Sequence, residues 1–251
     1  MSLINGVVKS VTQRSGSRKT PGGVVAAGLV LLALVVVALW PSLVASYSPL
    51  ETDASSTLQP PSAEHVFGTD QSGRDVFSRV VHGAQYSLAI GLGATGVALG
   101  LGLLLGVCAA LGSRIVDGIL SRFIDVLMAF PEFLLALVVI AVMGPGEGSI
   151  PLAVALAATP AYARVARAET LVVAQAGYVR ASASLGVSRT RTILFHIIPN
   201  ISGPLLVMAT IGVGTAIVTA AGLSFLGLGA QPPTPEWGII LSEGRNFLAT
   251  A

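Results

Sequence analysis

Residues 80–113 read VVHGAQYSLAIGLGATGVALGLGLLLGVCAALGS and contain no Lys, Arg, Asp or Glu. Residues 20–50 and 192–235 are free of these charged residues in the same way. Each segment is longer than the ~20 apolar residues that cross a bilayer core. Only 10% of the 251 residues are charged, against roughly 25% in an average soluble domain. The sequence therefore excludes an ordinary soluble protein and predicts an all-α integral membrane protein with several spans.

Five spans are predicted from the apolar runs, and the fourth is the weakest because two prolines interrupt it. They cover about residues 22–45, 84–111, 115–144, 148–163 and 201–229. Between the first two spans, residues 46–82 begin with the polar stretch TDASSTLQPPS and continue with valines at helical spacing after Gly73. We expect an extracytoplasmic linker followed by a short surface helix there.

The basic residues set the expected orientation. With residues 1–21 as a cytoplasmic tail, eleven of the 14 Lys and Arg residues fall on the inner side, and only Arg74, Arg79 and Arg245 fall outside. This distribution follows the positive-inside rule. Residues 164–200 then form a cytoplasmic loop, the largest inner element, within a core domain of residues 83–251.

Charge and cysteine content exclude further classes. A net charge of +2, with Arg18–Lys19 as the only adjacent basic pair and no aromatic platform, argues against a nucleic-acid partner. The single Cys108 rules out a disulfide within the chain and gives no zinc-ligand spacing. Neither Lys9 nor Lys19 lies in the glycine-rich loop that binds ATP phosphates, so any ATP hydrolysis requires another subunit.

The predicted inner loop contains YVRASASLGVSRTRTILFHIIPN, residues 178–200. Gly186 is suited to the positive φ that ends a helix, and Pro199 is suited to the start of the next span. The pattern predicts a short helix at about residues 174–185, then a turn and a re-entering helix.

This stretch resembles the cytoplasmic EAA loop of ABC importer permeases. The family pattern is Glu-Ala-Ala, three residues, Gly, nine residues, and Ile-x-Leu-Pro. In this sequence an arginine replaces the acidic first residue and a histidine replaces the isoleucine, while the Gly-to-Pro spacing is kept. The matching positions are Arg180, Ala181, Ser182, Gly186, His196, Ile198 and Pro199.

Three further segments resemble the C-type subunits of the dipeptide, oligopeptide and nickel importers in that family. They are residues 67–88 (FGTDQSGRDVFSRVVHGAQYSL), 125–137 (DVLMAFPEFLLAL) and 223–238 (LSFLGLGAQPPTPEWG). The outer signature is carried by Asp70, Gly73, Arg74 and Asp75. The resemblance implies a type I ABC importer permease fold with a sixth span after the last motif, and this sequence stops before such a span.

The resemblance also implies a function: one of two permeases that form the translocation path for dipeptides or oligopeptides in the cell (inner) membrane. The implied partners are a homologous B-type permease, cytoplasmic ATPases and an extracytoplasmic solute-binding protein. The ATPases would dock on the EAA-like loop and bind ATP and Mg, while this non-catalytic chain holds no cofactor or metal. Nickel or haem remains an alternative cargo.

Ionisable residues near the spans are candidates for the translocation path or its gate, because charge in a bilayer core is costly and often functional. Glu132 and Asp125 are the two candidates. For Asp125 the sequence also favours a local ion pair with Arg122, three residues earlier. His196 is expected to make a helix-terminal hydrogen bond. His65, Asp70 and Asp75 suggest a metal site, but a structural role is preferred because the two acids belong to the outer signature.

Two other classes remain open at this point. An ion-driven secondary transporter or channel would use Glu132 and Asp125 as cation sites and would work without ATPases. An intramembrane hydrolase has little support, because no Ser and His are paired within the spans.

Overall fold

The computed structural model describes residues 22–146 and 148–248. The predicted cytoplasmic tail, residues 1–21, lies outside the described residues. Within the described part the chain is helical and forms no β-strand, which confirms the all-α prediction. The α-helices are α1 (Gly22–Leu39), α2 (Val76–Leu111), α3 (Arg114–Met128), α4 (Glu132–Met143), α5 (Ser149–Ala174), α6 (Gly177–Ser184), α7 (Arg189–Thr192), α8 (Ile198–Phe225) and α9 (Trp237–Gly244).

Four continuous helices are long and apolar enough to cross a membrane: α1, α2, α5 and the helix Arg189–Phe225. The last of these joins α7 to α8 through the π-helical turn Ile193–Ile197. The pair α3 and α4 passes the same test together, which gives up to five spans as the sequence predicts.

The third span is not the straight helix expected over residues 115–144. Helices α3 and α4 meet at 99°. The break falls just before Pro131, which has no backbone N–H to continue the helical ladder and restricts the residue before it. Gly144 at φ 86° then ends α4. Helix α3 is the amphipathic half of this pair, and α4 is the apolar half.

The linker also differs from its prediction, because no separate surface helix follows it. The segment after Gly73 is the first part of α2, whose 36 residues span about 54 Å at 1.5 Å per residue. That length exceeds the ~30 Å hydrocarbon core. Asp75 caps the helix by accepting a hydrogen bond from the backbone N–H of Ser78 at 2.7 Å.

Helices extend into both ends of the predicted inner loop of residues 164–200. Helix α5 continues through Arg164 and Arg167 to Ala174, and the next long helix already begins at Arg189. Both arginines pair with aspartates of α3, so their positive charges are compensated and the helix continues past them. Residues 175–188, which include α6, remain as the connection between the two long helices.

The bundle is centred on α2, α5 and α8. Small residues let α2 approach α5 closely at Gly102 and Gly106. A Cβ atom added at Gly106 would lie 2.6 Å from both the carbonyl oxygen of Ala163 and the Cβ of Ala166. Membrane helices associate mainly through this kind of close contact, since lipid tails are as apolar as the side chains. In contrast, α1 buries none of its residues.

We predict that Gly106→Val destabilises the protein, because its side chain overlaps the α5 backbone. Overpacking of this kind costs about 1–3 kcal/mol. Gly100→Val is the matched control, since a Cβ there has no atom within 4 Å. Thermal unfolding of the detergent-purified chain measures both variants. Equal losses of stability would contradict the assignment of the α2–α5 contact.

Candidate functional site

The candidate functional residues lie at the two ends of the bundle and in a cavity between its helices. We call the end formed by residues 67–79 and 236–243 the signature end. The opposite end, formed by residues 111–114 and 175–189, is called the loop end. The sites are described in turn from the loop end.

At the loop end, α6 is a short helix that lies within the range predicted from the sequence. Arg180, Ala181 and Ser182 belong to α6. Gly186 adopts φ 78° directly after it, as expected for a glycine that ends a helix. The long helix that follows contains His196, Ile198 and Pro199. The EAA-like pattern therefore covers the short helix α6 and the start of a helix long enough to span the membrane.

Polar contacts hold this connection against the bundle. The Ser182 hydroxyl donates to the carbonyl of Val179 at 2.8 Å and lies 3.5 Å from the hydroxyl of Thr192. The Arg189 guanidinium donates to the carbonyl of Leu111 at the end of α2. These contacts link α6 to α7, and α7 to the end of α2.

The outward face of the connection is apolar and exposed. Leu185 is 83% exposed and Phe195 is 69% exposed, and Tyr178 on α6 is also exposed. Arg180 lies on the same exposed part of the chain. Exposed apolar side chains near a polar one are candidates for a protein-binding surface, and we call Tyr178, Leu185 and Phe195 the apolar patch.

Two ion pairs connect α5 to α3 near this end. The guanidinium of Arg167 meets the carboxylate of Asp117 in a two-pronged contact at 2.7 and 2.8 Å. Arg164 pairs with Asp125. The expected pair between Asp125 and Arg122 is therefore wrong: the bend after α3 brings the aspartate against α5, where a longer-range partner is available.

Glu132, which is exposed, lines a cavity of about 150 Å³ between α2, α4, α5 and α8, and the exposed residues Ile211 and Thr215 of α8 line it as well. Glu132 is the first residue of α4 and forms no ion pair among the described residues. Thr95, Tyr162 and Gly212 line the same cavity. These three residues were not singled out from the sequence, because each lies on a different helix with no motif around it.

At the signature end, two arginines and two acids form a buried network. Arg74 Nε donates to Asp70 at 2.6 Å, and Arg74 Nη2 donates to Glu243 at 2.9 Å. Arg79, only 1% exposed, contacts Asp70 and donates to Glu243 at 2.7 Å. Burial alone would raise the pKa of Asp70, but hydrogen bonds from the backbone of Arg74 and Ser72 and from the Arg74 side chain outweigh it and lower the pKa.

The remaining signature residues shape the start of α2. Gly73 has φ 72°, and a Cβ there would collide with the carbonyl oxygen of Asp53. Asp75 caps α2 and also lies 2.9 Å from Nδ1 of His65. No cluster of metal-ligating side chains occurs among residues 22–146 and 148–248. The side chains of His65, Asp70 and Asp75 are each bonded to other residues of the protein.

The last motif packs onto this network through α9. Glu236 caps α9 by accepting hydrogen bonds from Gly238 and Ile239, at 2.8 and 3.2 Å. The Trp237 indole donates to the carbonyl of Val80 at 2.9 Å. Sequence reasoning missed Glu243 entirely, since it is 164 positions from Arg79 and lies outside every motif.

His196 was expected to make a helix-terminal hydrogen bond. The Nδ1 atom of its ring is buried and has no partner among the described residues. The carbonyl of His196 instead accepts from the side chain of Asn200 at 2.6 Å.

The apolar helices and their small-residue contacts define a multi-pass helical membrane protein. Residues 99–251 match the family described as binding-protein-dependent transport system inner membrane component, and the chain belongs to this family. The resemblance drawn from the four motifs is confirmed. The family description places the chain in an inner membrane, as one component of a transport system that works with a binding protein.

Several curated relatives match most of the chain. It is 41% identical to the dipeptide transport system permease protein of Alkalihalophilus pseudofirmus, covering 89% of this chain and 73% of that protein. It is 40% identical to the glutathione transport system permease protein of Pectobacterium atrosepticum, covering 90% and 76%. It is 41% identical to the probable D,D-dipeptide transport system permease protein of Escherichia coli, covering 91% and 76%.

A solved structure supports the fold. The crystal structure of an amino acid ABC transporter with histidines matches 64% of this chain and 75% of its own chain, with a TM-score of 0.50 and 17% identity. At that identity the likeness concerns the fold alone.

We predict that Glu243→Gln destabilises the protein by about 3 kcal/mol, because it leaves two buried arginines with one carboxylate. Thermal unfolding in detergent measures the loss. Glu51→Gln is the control, since Glu51 is exposed and forms no ion pair among the described residues. Indistinguishable unfolding of the two variants would contradict the importance of the network.

Proposed function

We propose that this chain is the permease subunit of an ATP-binding-cassette importer for dipeptides or oligopeptides, and that it forms half of the translocation path. The observation that carries the proposal is its 41% identity, over 89% of its length, to a dipeptide transport permease. Relatives named for glutathione and D,D-dipeptides also transport small peptides according to their names, so nickel and haem are less favoured cargoes.

The loop end is proposed to face the cytoplasm, with the tail of residues 1–21 on the same side. The charge distribution supports this orientation, because Arg164, Arg167, Arg180, Arg189 and Arg191 are concentrated at or near the loop end. The signature end then faces outward, where a solute-binding protein would deliver peptide.

A cytoplasmic ATPase subunit is proposed to bind the apolar patch around α6. The patch is exposed, and α6 is held through Ser182 and Thr192 to a helix that crosses the membrane. Closure of two ATPases, which bind ATP and Mg, would move α6 and thereby α2 and α8. The site residues Arg180, Ala181, Ser182 and Gly186 contribute the docking helix, while His196, Ile198 and Pro199 continue it into the span.

A homologous B-type permease is proposed as the second half of the path. The exposed face of α8 supports this, since Leu206, Val207, Ile211 and Val218 are all more than half exposed. An ion-driven transporter is less favoured, because one of its two candidate cation sites, Asp125, is paired with Arg164, while the other, Glu132, has no ion pair among the described residues.

Gly186→Ala is expected to reduce the peptide uptake obtained per ATP hydrolysed in the reconstituted importer. A Cβ at Gly186 meets no atom within 4 Å, so the only cost is the left-handed backbone, roughly 1–2 kcal/mol. That strain disfavours the turn between α6 and α7 and loosens the link to the span.

Gly177→Ala is the matched control, because its Cβ is equally free of contacts and its φ is not positive. Uptake of radiolabelled dipeptide and release of phosphate are measured on the same vesicles. The role of the turn would be wrong if the two variants gave the same ratio.

Leu185→Asp tests the proposed function itself. We expect it to abolish copurification of the ATPase from native membranes and to eliminate ATP-dependent peptide uptake. The reason is that a charged group replaces an apolar side chain that is 83% exposed and is proposed to contact the ATPase. Leu43→Asp is the control, since Leu43 is 72% exposed at the opposite end. Uptake that follows an ion gradient in vesicles containing this chain alone would overturn the proposal.

A further inference from the structure

The cavity lined by Glu132 contains a hydroxyl group that has no hydrogen-bond partner among the described residues. The side chain of Thr95 is 5% exposed, and its Oγ1 has no hydrogen-bond partner among the described residues. Helical threonines ordinarily bond to a carbonyl of the preceding turn. Thr159 and Thr215, which lie on neighbouring helices, do so at 2.7 and 3.0 Å. An unsatisfied buried hydroxyl that lines a cavity indicates a missing polar occupant.

Glu132 contributes a carboxyl group to the same cavity. The acids of α3 that lie in the bundle are paired with arginines of α5, whereas Glu132 has no cation partner in the described part of the chain. Ionisable residues on spanning helices are often functional, so Glu132 is a candidate for contact with the cargo.

The third polar group is the hydroxyl of Tyr162, whose residue is 3% exposed. It lies 3.5 Å from the carbonyl oxygen of Met208. Gly212 leaves the space that this hydroxyl occupies, because a Cβ atom at residue 212 would collide with it. The same Cβ would lie 3.4 Å from the methyl carbon of Thr95, so the two side chains meet beside Gly212. The two hydroxyl groups therefore share one pocket between α2, α5 and α8.

We propose that Glu132, Thr95 and Tyr162 form a subsite for the ammonium group of a peptide in transit. An ammonium carries three N–H donors and no acceptor, and these three side chains offer a carboxylate and two hydroxyl oxygens. The remaining lining is mostly apolar. The volume of about 150 Å³ is below the ~300–1,000 Å³ of a pocket for a whole small molecule. It suits one charged end of the cargo, and the inference rests on the proposed peptide transport.

The test uses the complete importer in proteoliposomes, supplied with its binding protein and ATP. The probes are Ala-Ala, N-acetyl-Ala-Ala and N-acetyl-Ala-Lys, and each initial rate is divided by the wild-type rate for the same peptide. This ratio cancels the preference of the binding protein. For Ala-Ala we expect Glu132→Gln to reduce the rate about tenfold or more and Thr95→Val about threefold, with N-acetyl-Ala-Ala unchanged.

Thr215→Val is the matched control, because Thr215 also lines the cavity but its hydroxyl is already bonded to Gly212. It should leave all rates unchanged. ATP hydrolysis stimulated by the binding protein should stay within about twofold of wild type in every variant. A loss restricted to N-acetyl-Ala-Lys would support the same ammonium chemistry with a lysine side chain as its source.

The subsite would be overturned if the variants lost uptake of Ala-Ala and of N-acetyl-Ala-Ala equally, or if Glu132→Gln transported every peptide at the wild-type rate. It would also be overturned if ATP hydrolysis fell in parallel with uptake. A further contradicting result is wild-type uptake that depends on a proton or sodium gradient, with that dependence removed in Glu132→Gln. Absence of ATP-dependent uptake of every peptide by the wild type would instead overturn the proposed function, and the subsite with it.

Discussion

Close approach of helix backbones is the constraint on which this structure depends. In a bilayer every spanning helix satisfies its own backbone, and burial of apolar surface gives no force between helices. Contact must come from packing, and Gly102 and Gly106 bring α2 against α5 where larger residues would overlap its backbone. The remaining helices are arranged around this pair. The bend between α3 and α4 places Glu132 beside the same helices, and Gly212 admits the Tyr162 hydroxyl to the cavity between them.

Charged residues are few and lie mainly at the two ends of the bundle. At the signature end, Arg74 and Arg79 share Asp70 and Glu243, so the segment before α2 is joined to α9 through buried ion pairs. At the loop end, Arg164 and Arg167 join α5 to α3. The bundle is thereby fixed at one end by buried contacts and at the other by more exposed ones. The more exposed end carries α6, the helix proposed to bind the ATPase.

The sequence predicted more of the loop end than of the cavity lined by Glu132. The Gly186 turn and the short helix before it follow from local chemistry, because a positive φ and a helix boundary depend on neighbouring residues. Thr95, Tyr162 and Gly212 come together from three helices, and nothing near any of them along the chain indicates a cavity. The correction of the Asp125 partner has the same origin: spacing along one helix favours Arg122, while packing brings Arg164 closer.

The sequence by itself determined the membrane location, the number of apolar runs, the orientation expected from the arginines and the family motifs, since each depends on composition or on short spacing. Only the tertiary structure decided which small residues make contact. Gly96 and Gly100 have the same four-residue spacing as Gly102 and Gly106, yet a Cβ on either of the first two meets no atom within 4 Å. The direction in which a helix face points depends on how its neighbours pack, and that information is spread over residues far apart in the chain.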